Sequence, residues 1–113
     1  MERRIQRVAE LLKQQLSIMI KESLPEDLGI VTVTTVEVSG DIKNATVYVS
    51  CLEKTREREI LKKLEEKIRE FQHILGRNLK LRYTPKLTYK FDRSLEQINR
   101  VEEILEDLNK DKK

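Results

Sequence analysis

The side chains with the longest chemical reach in this chain are its cations, and they are unevenly spread. Residues 67–93 carry Lys67, Arg69, Arg77, Lys80, Arg82, Lys86, Lys90 and Arg93 against only Glu70 and Asp92. Clusters of this kind bind phosphate backbones, with counterion release as the driving term. His73 stands one helical turn before Arg77, where an imidazole can contact phosphate or stack on a base. Tyr48 and Tyr83 are suited to base stacking, whereas Tyr89 shares parity with Leu87 and Phe91 and is expected in a core. Arg3, Arg4 and Arg7 join the cluster only if the first helix starts beside it. The bland alternative is a solvated face whose charges serve solubility.

Other chemistry finds little support. His73 is the sole histidine and has no partner motif for acid–base work, so no catalytic residue is expected. Cys51 is the sole cysteine, which excludes an intrachain disulfide and a Cys-rich zinc site. It ends a strand on the apolar parity and reads as a small core residue. There is no Gly-rich phosphate loop, no HExxH and no GxSxG. No metal and no cofactor is expected. Asp41 and Asp92 sit at turns and read as turn or helix-cap acids.

The remaining composition sets the frame for these groups. A chain of 113 residues with 38% hydrophobic residues fits one domain with a modest core. Charged residues also make up 38%, yet the net charge is only +3, so the local distribution carries the message. No run of about 18 apolar residues is present, so no transmembrane helix is expected. Met1-Glu2-Arg3-Arg4 lacks an apolar stretch behind its charges, which argues against a secretory signal and for the cytoplasm.

Periodicity supplies the elements that must position the cations. Ile5, Val8, Leu12, Leu16, Met19 and Ile20 mark an amphipathic helix over residues 3–23, ended by Pro25 and Gly29. Residues 30–38 and 44–51 read as strands of an antiparallel hairpin. In the first, the phase slips at Thr34-Thr35, which predicts a β-bulge. Ile60, Leu64, Ile68, Phe71, Leu75 and Leu79 mark a long helix over residues 56–79, with Thr55 as its cap. Gly76 inside that pattern predicts a bend, an end, or a close backbone approach. Residues 86–91 read as a third strand, with Pro85 at its start and Lys86, Thr88 and Lys90 facing outward. Ser94-Leu95-Glu96-Gln97 resembles a capping box. It opens a last helix with the stripe Leu95, Ile98, Val101, Leu105 and Leu108. Residues 109–113 form a short charged tail, expected to fray. The order α-β-β-α-β-α predicts a single α+β domain over residues 1–108. Its three-stranded sheet is backed by helices and has a third strand able to lie parallel to a neighbour.

The run from Leu75-Gly76-Arg77 through Leu79, Leu81-Arg82, Pro85, Leu87 and Tyr89 to Asp92 resembles the signature of bacterial ribosome-binding factor A. The hairpin Val36-Glu37-Val38-Ser39-Gly40-Asp41 through Tyr48-Val49-Ser50 is similar to that family's as well. The resemblance implies a type II KH-like fold and a non-enzymatic assembly factor for the small ribosomal subunit. It implies binding to free or immature 30S subunits through 16S rRNA, and support of late maturation, including processing of the 16S rRNA 5′ end. It further implies a link to growth in the cold and release by a GTPase assembly factor. The chain is expected to act as a monomer, without a membrane. On this reading Arg77, Lys80, Arg82, Lys86 and Lys90 are the main rRNA-binding residues, with Arg4, Arg7, Arg69 and His73 secondary. Gly76 allows close backbone approach, while Pro85 and Asp92 are structural. The G-x-x-G loop of KH domains is absent, and Lys67-Ile68-Arg69 stands where the family commonly has an Ala-x-Gly kink. A weakened or missing kink follows, with the helix running on towards Gly76. The alternative is a generic RNA-binding or protein-interaction module, whose last helix docks on a partner.

Overall fold

A computed structural model of the chain describes residues 2–81 and 83–94. Its elements are α1 (Glu2–Ser23), β1 (Val31–Val38), β2 (Asn44–Cys51), α2 (Glu57–Glu66), α3 (Ile68–Leu79) and β3 (Lys86–Phe91). Short 3-10 turns at Glu26–Leu28 and Lys54–Arg56 precede β1 and α2. The last helix expected from the sequence, its capping box and the tail fall outside the described residues.

The sheet has the order β1-β2-β3, antiparallel between β1 and β2 and parallel between β2 and β3. Parallel pairing is possible because the connection from β2 to β3 carries two helices and can cross back over the sheet. Alternation assigns the faces. Ala45, Val47 and Val49 of β2 and Leu87 and Tyr89 of β3 are buried, together with Val8, Leu12, Leu16, Ile60, Leu64, Phe71 and Leu75 of the helices. One core therefore lies between the sheet and a single layer of helices, with α1 over β1 and α2 over β3. Thr88 and Lys90 are exposed and Thr46 and Tyr48 half-buried on the other sheet face.

The expected bulge is present. Val33 pairs with Val49 and Thr35 with Tyr48, so Thr34 is the extra residue. Its hydroxyl donates to Asp92 Oδ2 at 2.6 Å. Asp92 Oδ1 accepts from the Ser94 N–H at 2.9 Å and the Ser94 hydroxyl at 2.6 Å. These bonds hold the Asp92 carboxyl below its usual pKa, Ser94 contributing most and Thr34 next. Asp92 is thus the structural turn acid the sequence predicts.

Two local expectations need correction. The helix over residues 56–79 is not continuous: it breaks at Lys67, whose φ of −99° and ψ of 2° lie outside the helical basin. The Lys67 N–H turns back to Leu64 O at 3.1 Å, a tightened last turn. No Gly or Pro marks the break, and the apolar stripe runs through it unbroken. Its cause is tertiary: α2 lies on β3, while α3 must also reach α1. Thr55 is not the cap, because residues 54–56 form a 3-10 turn and α2 starts one residue after Arg56. Cys51 is half-buried at the rim of the core, and its thiol lies 3.3 Å from Glu53 O.

Candidate nucleic-acid interface

The two ends of the sheet differ in how their charges are used. At the end where Val31, Cys51 and Phe91 lie, two arginines are paired. Arg93 makes a bidentate bridge to Glu57 at 2.8 and 2.7 Å. Arg56 donates to Asp27 O at 2.8 Å and pairs with Glu59 at 3.0 Å. At the other end, the start of α1, the β1–β2 turn and the α3–β3 connection converge on a cavity of about 270 Å³. Arg4, Val8, Gly40, Asp41, Ile42, Leu81 and Tyr83 line it. The first helix does start beside the basic segment, so the condition placed on its arginines is met for Arg4. Arg4, Arg7, Arg77, Lys80 and Lys86 are exposed, and none forms an ion pair among the described residues.

Local chemistry builds this end. The Ser39 hydroxyl donates to Asp41 Oδ1 at 2.6 Å, and the Lys43 N–H donates to the same oxygen at 3.0 Å. The Asn44 N–H donates to Ser39 Oγ at 3.0 Å. This web closes the turn and keeps the Asp41 carboxyl below its usual pKa, the Ser39 bond being the largest cause and the Lys43 N–H the next. It also holds Ile42 at φ 60°, a left-handed backbone that β-branched residues rarely adopt. Lys80 ends α3 in the left-handed region at φ 50°, where glycine is the usual residue. Gly76 has a concrete reason: a Cβ there would meet Thr84 Oγ1 at 2.8 Å. The close approach it permits is therefore by the chain's own α3–β3 connection. That connection is held further by Gln72 Nε2, which donates to Pro85 O at 2.9 Å, and Pro85 is fully buried.

The structure divides the residues singled out by sequence. Arg69, His73 and Arg77 recur at every fourth position of α3, are all exposed, and lie opposite buried Phe71 and Leu75. Lys80 extends this stripe to the α3 terminus. Lys86 and Lys90 project from the open face of β3, across the sheet from the helices. The cluster is thus a stripe on the helix layer and a pair on the sheet face, meeting only around Lys80–Lys86. Arg69 lies at the far end of α3. Arg82 falls outside the described residues. Lys43 was missed, because residues 1–66 carry no basic excess. Strand pairing puts it here, with Lys43 O accepting the Lys86 N–H at 2.8 Å. Tyr83 is 64% exposed, in keeping with a stacking surface, whereas Tyr48 is half-buried with its hydroxyl donating to Glu37 at 3.4 Å. Among the described residues, no three His, Cys, Asp or Glu side chains gather to hold a metal ion, and no helix is long and apolar enough to cross a membrane.

Among the described residues, the order α-β-β-α-α-β, a mixed sheet with its helices on one side, and a cationic end without internal ion pairs define a small KH-like α+β protein suited to binding a polyanion. Comparison with known proteins narrows this class. The family model for ribosome-binding factor A matches residues 4–105. Ribosome-binding factor A of Coxiella burnetii is 37% identical over 107 residues, covering 94% of this chain and 90% of that protein. The one from Caldanaerobacter subterraneus is 37% identical over 113 residues, covering 97% and 93%. The crystal structure of the Thermus thermophilus ribosome-binding factor A superimposes with a TM-score of 0.71 at 26% identity, covering 80% of this chain and 98% of that one. Coordinates of a Thermus thermophilus ribosome-binding factor A fitted into a cryo-EM map of a 30S complex give a TM-score of 0.67 at 27% identity, covering 75% and 91%. The chain belongs to the ribosome-binding factor A family, and the three-stranded sheet backed by helices is that family's fold.

Proposed function

We propose that this ribosome-binding factor binds free or immature 30S subunits in the cytoplasm through 16S rRNA and supports late 30S maturation, including processing of the 16S rRNA 5′ end. The observation that carries the reading is family membership over residues 4–105, joined by the fit of a Thermus relative of the same fold into a 30S complex. The mechanism is occupancy. Arg4, Arg7, Arg77, Lys80, Arg82 and Lys86 engage phosphates and fix the protein's position on folded rRNA, with Arg69, His73 and Lys90 at the margins. Arg4, Arg7, Arg77, Lys80 and Lys86 form no ion pair among the described residues, which suits this role, since no such pair must break on binding. The protein acts as a monomer without catalysis, leaves the mature particle under a GTPase assembly factor, and supports growth in the cold.

Co-sedimentation with purified 30S and 50S subunits across a salt series tests this. The expected result is 30S-selective binding that weakens steeply with salt. Equal binding to 50S subunits or to unrelated RNA would instead identify a generic RNA-binding module. In depleted cells, primer extension should reveal 16S rRNA with unprocessed 5′ ends.

A further inference from the structure

We propose that the cavity between the start of α1, the β1–β2 turn and the α3–β3 connection receives one extruded rRNA base, stacked on Tyr83 and read on its edge by Asp41, with guanine preferred. This deepens the rRNA reading above and rests on it. Phosphate contacts position a protein on RNA, but selectivity among RNA sites comes from unstacked bases held on aromatic or guanidinium planes and hydrogen-bonded on their edges. The cavity collects the groups for such contacts from three distant stretches of chain.

Tyr83, 64% exposed, and Arg4, with its guanidinium, both line the cavity. Val8, Ile42 and Leu81 supply apolar walls, Val8 being buried and the other two half-buried. Gly40 adds no side chain, and nothing lies within 4 Å of where its Cβ would be, so this side of the turn is open. A volume of about 270 Å³ suits a single base. It falls just below the ~300–1,000 Å³ of pockets that take drug-sized ligands.

Asp41 gives the cavity its preference. Its Oδ1 accepts from Ser39 and from the Lys43 N–H, while Oδ2 has no hydrogen-bond partner among the described residues. A carboxylate only accepts, so it needs N–H donors from the ligand. Guanine presents two adjacent donors, N1–H and the N2 amino group, that can converge on the two lone pairs of Oδ2, whereas uracil, cytosine and adenine each present donors at one edge position. The charge of Asp41 also disfavours phosphate at this point, so the polyanion approaches through the surrounding cations and enters the cavity by a base. The backbone strain at Ile42 (φ 60°) accords with this, because strained residues concentrate at binding sites.

The test titrates the full chain with pentaribonucleotides of uridine whose central residue is G, A, C or U, followed by amide NMR. The expected result is that the guanosine oligonucleotide binds roughly tenfold tighter than the others. Its shifts should centre on residues 40–43 and 83. Tyr83→Ala should weaken that complex roughly tenfold, and Tyr83→Phe should preserve it. Asp41→Asn keeps an oxygen for the Ser39 and Lys43 bonds but exchanges the other acceptor for a donor, so the guanosine preference should vanish while the fold remains. Equal affinity for all four oligonucleotides, or shifts centred on Thr88 and Lys90, would overturn the proposal. Loss of 30S binding by Tyr83→Ala with every oligonucleotide bound as before would also overturn it, and would assign the surface to a ribosomal protein. The two readings fail separately. If the oligonucleotide arms fail while the unaltered chain still sediments with 30S, the base pocket falls and the rRNA reading stands. If the chain ignores 30S subunits altogether, the rRNA reading falls.

Discussion

The two ends of the sheet hold cations of the same chemical types, but among the described residues only one end is seen to neutralise them internally. Arg56 and Arg93 are consumed by Asp27, Glu59 and Glu57, and these pairs tie the turn before β1 and the start of α2 to the end of β3. Arg4, which lines the cavity edged by Tyr83, and Arg7, Arg77, Lys80 and Lys86 form no ion pair among the described residues. The type of cation alone does not separate the two ends. The difference lies in whether acids from other elements are delivered beside the cations. Where they are, the charge serves the fold; where they are not, it remains available to a polyanion.

The sharpest way to break this contrast is to remove the unpaired cations. Arg4→Ala, Arg77→Ala and Lys86→Ala together should weaken 30S binding more than tenfold at moderate salt. The plot of log affinity against log salt should become shallower by roughly 2 to 3 units. The circular dichroism melt should be unchanged. Binding that kept its salt slope would remove this end from the interface.

Gly76→Ala is expected to cost about 1–3 kcal/mol of stability, because its Cβ would meet Thr84 Oγ1 at 2.8 Å. Denaturant unfolding measures this, and adding Thr84→Ala should restore part of the loss. A Gly76→Ala variant as stable as the parent would show that the connection carrying Tyr83 is not anchored on α3.

At the paired end, Glu57→Ala should lower stability by about 1 kcal/mol or less, since Arg93 and Glu57 retain 50% and 19% side-chain exposure. Its 30S affinity should stay unchanged. A fall in affinity with no fall in stability would reverse the roles assigned to the two ends.

The smallest effect is a pH dependence. The folded Asp92 carboxyl is lowered by its bonds to Ser94 and Thr34. A carboxyl whose folded pKa lies below its unfolded value contributes stability that is present above the unfolded pKa, about 3.9, and lost as pH falls through the folded pKa. Asp92→Asn should therefore lose less stability than the parent between pH 5 and acid, in melts taken along a pH series. An identical acid profile would deny Asp92 its place in the lock on the β1 bulge.

Much of the architecture was legible because it depends on periodicity. The alternation Ala45, Val47, Val49 fixed which face of β2 is buried, and the slip at Thr34-Thr35 announced the bulge. Asp41 and Asp92 were readable as turn acids because short carboxylates bond to nearby backbone N–H groups whatever surrounds them. The break at Lys67 was not readable: the apolar stripe from Ile60 to Leu75 satisfies one straight helix as well as two. Of the interface, the cations and Tyr83 were legible by type. Their division between the helix layer and the open sheet face was not, nor was the arrival of Lys43 beside Lys86.

Residue order alone thus determined α1, the three strands, their buried faces, the family and the basic excess of residues 67–93, because each follows from patterns along the chain. Tertiary structure decided which cations meet acids, where α2 gives way to α3, and that Arg4, Asp41 and Tyr83 share one cavity. Those outcomes rest on contacts between residues that lie far apart in the chain, and Coulomb and packing energies depend on distance in space rather than on sequence separation.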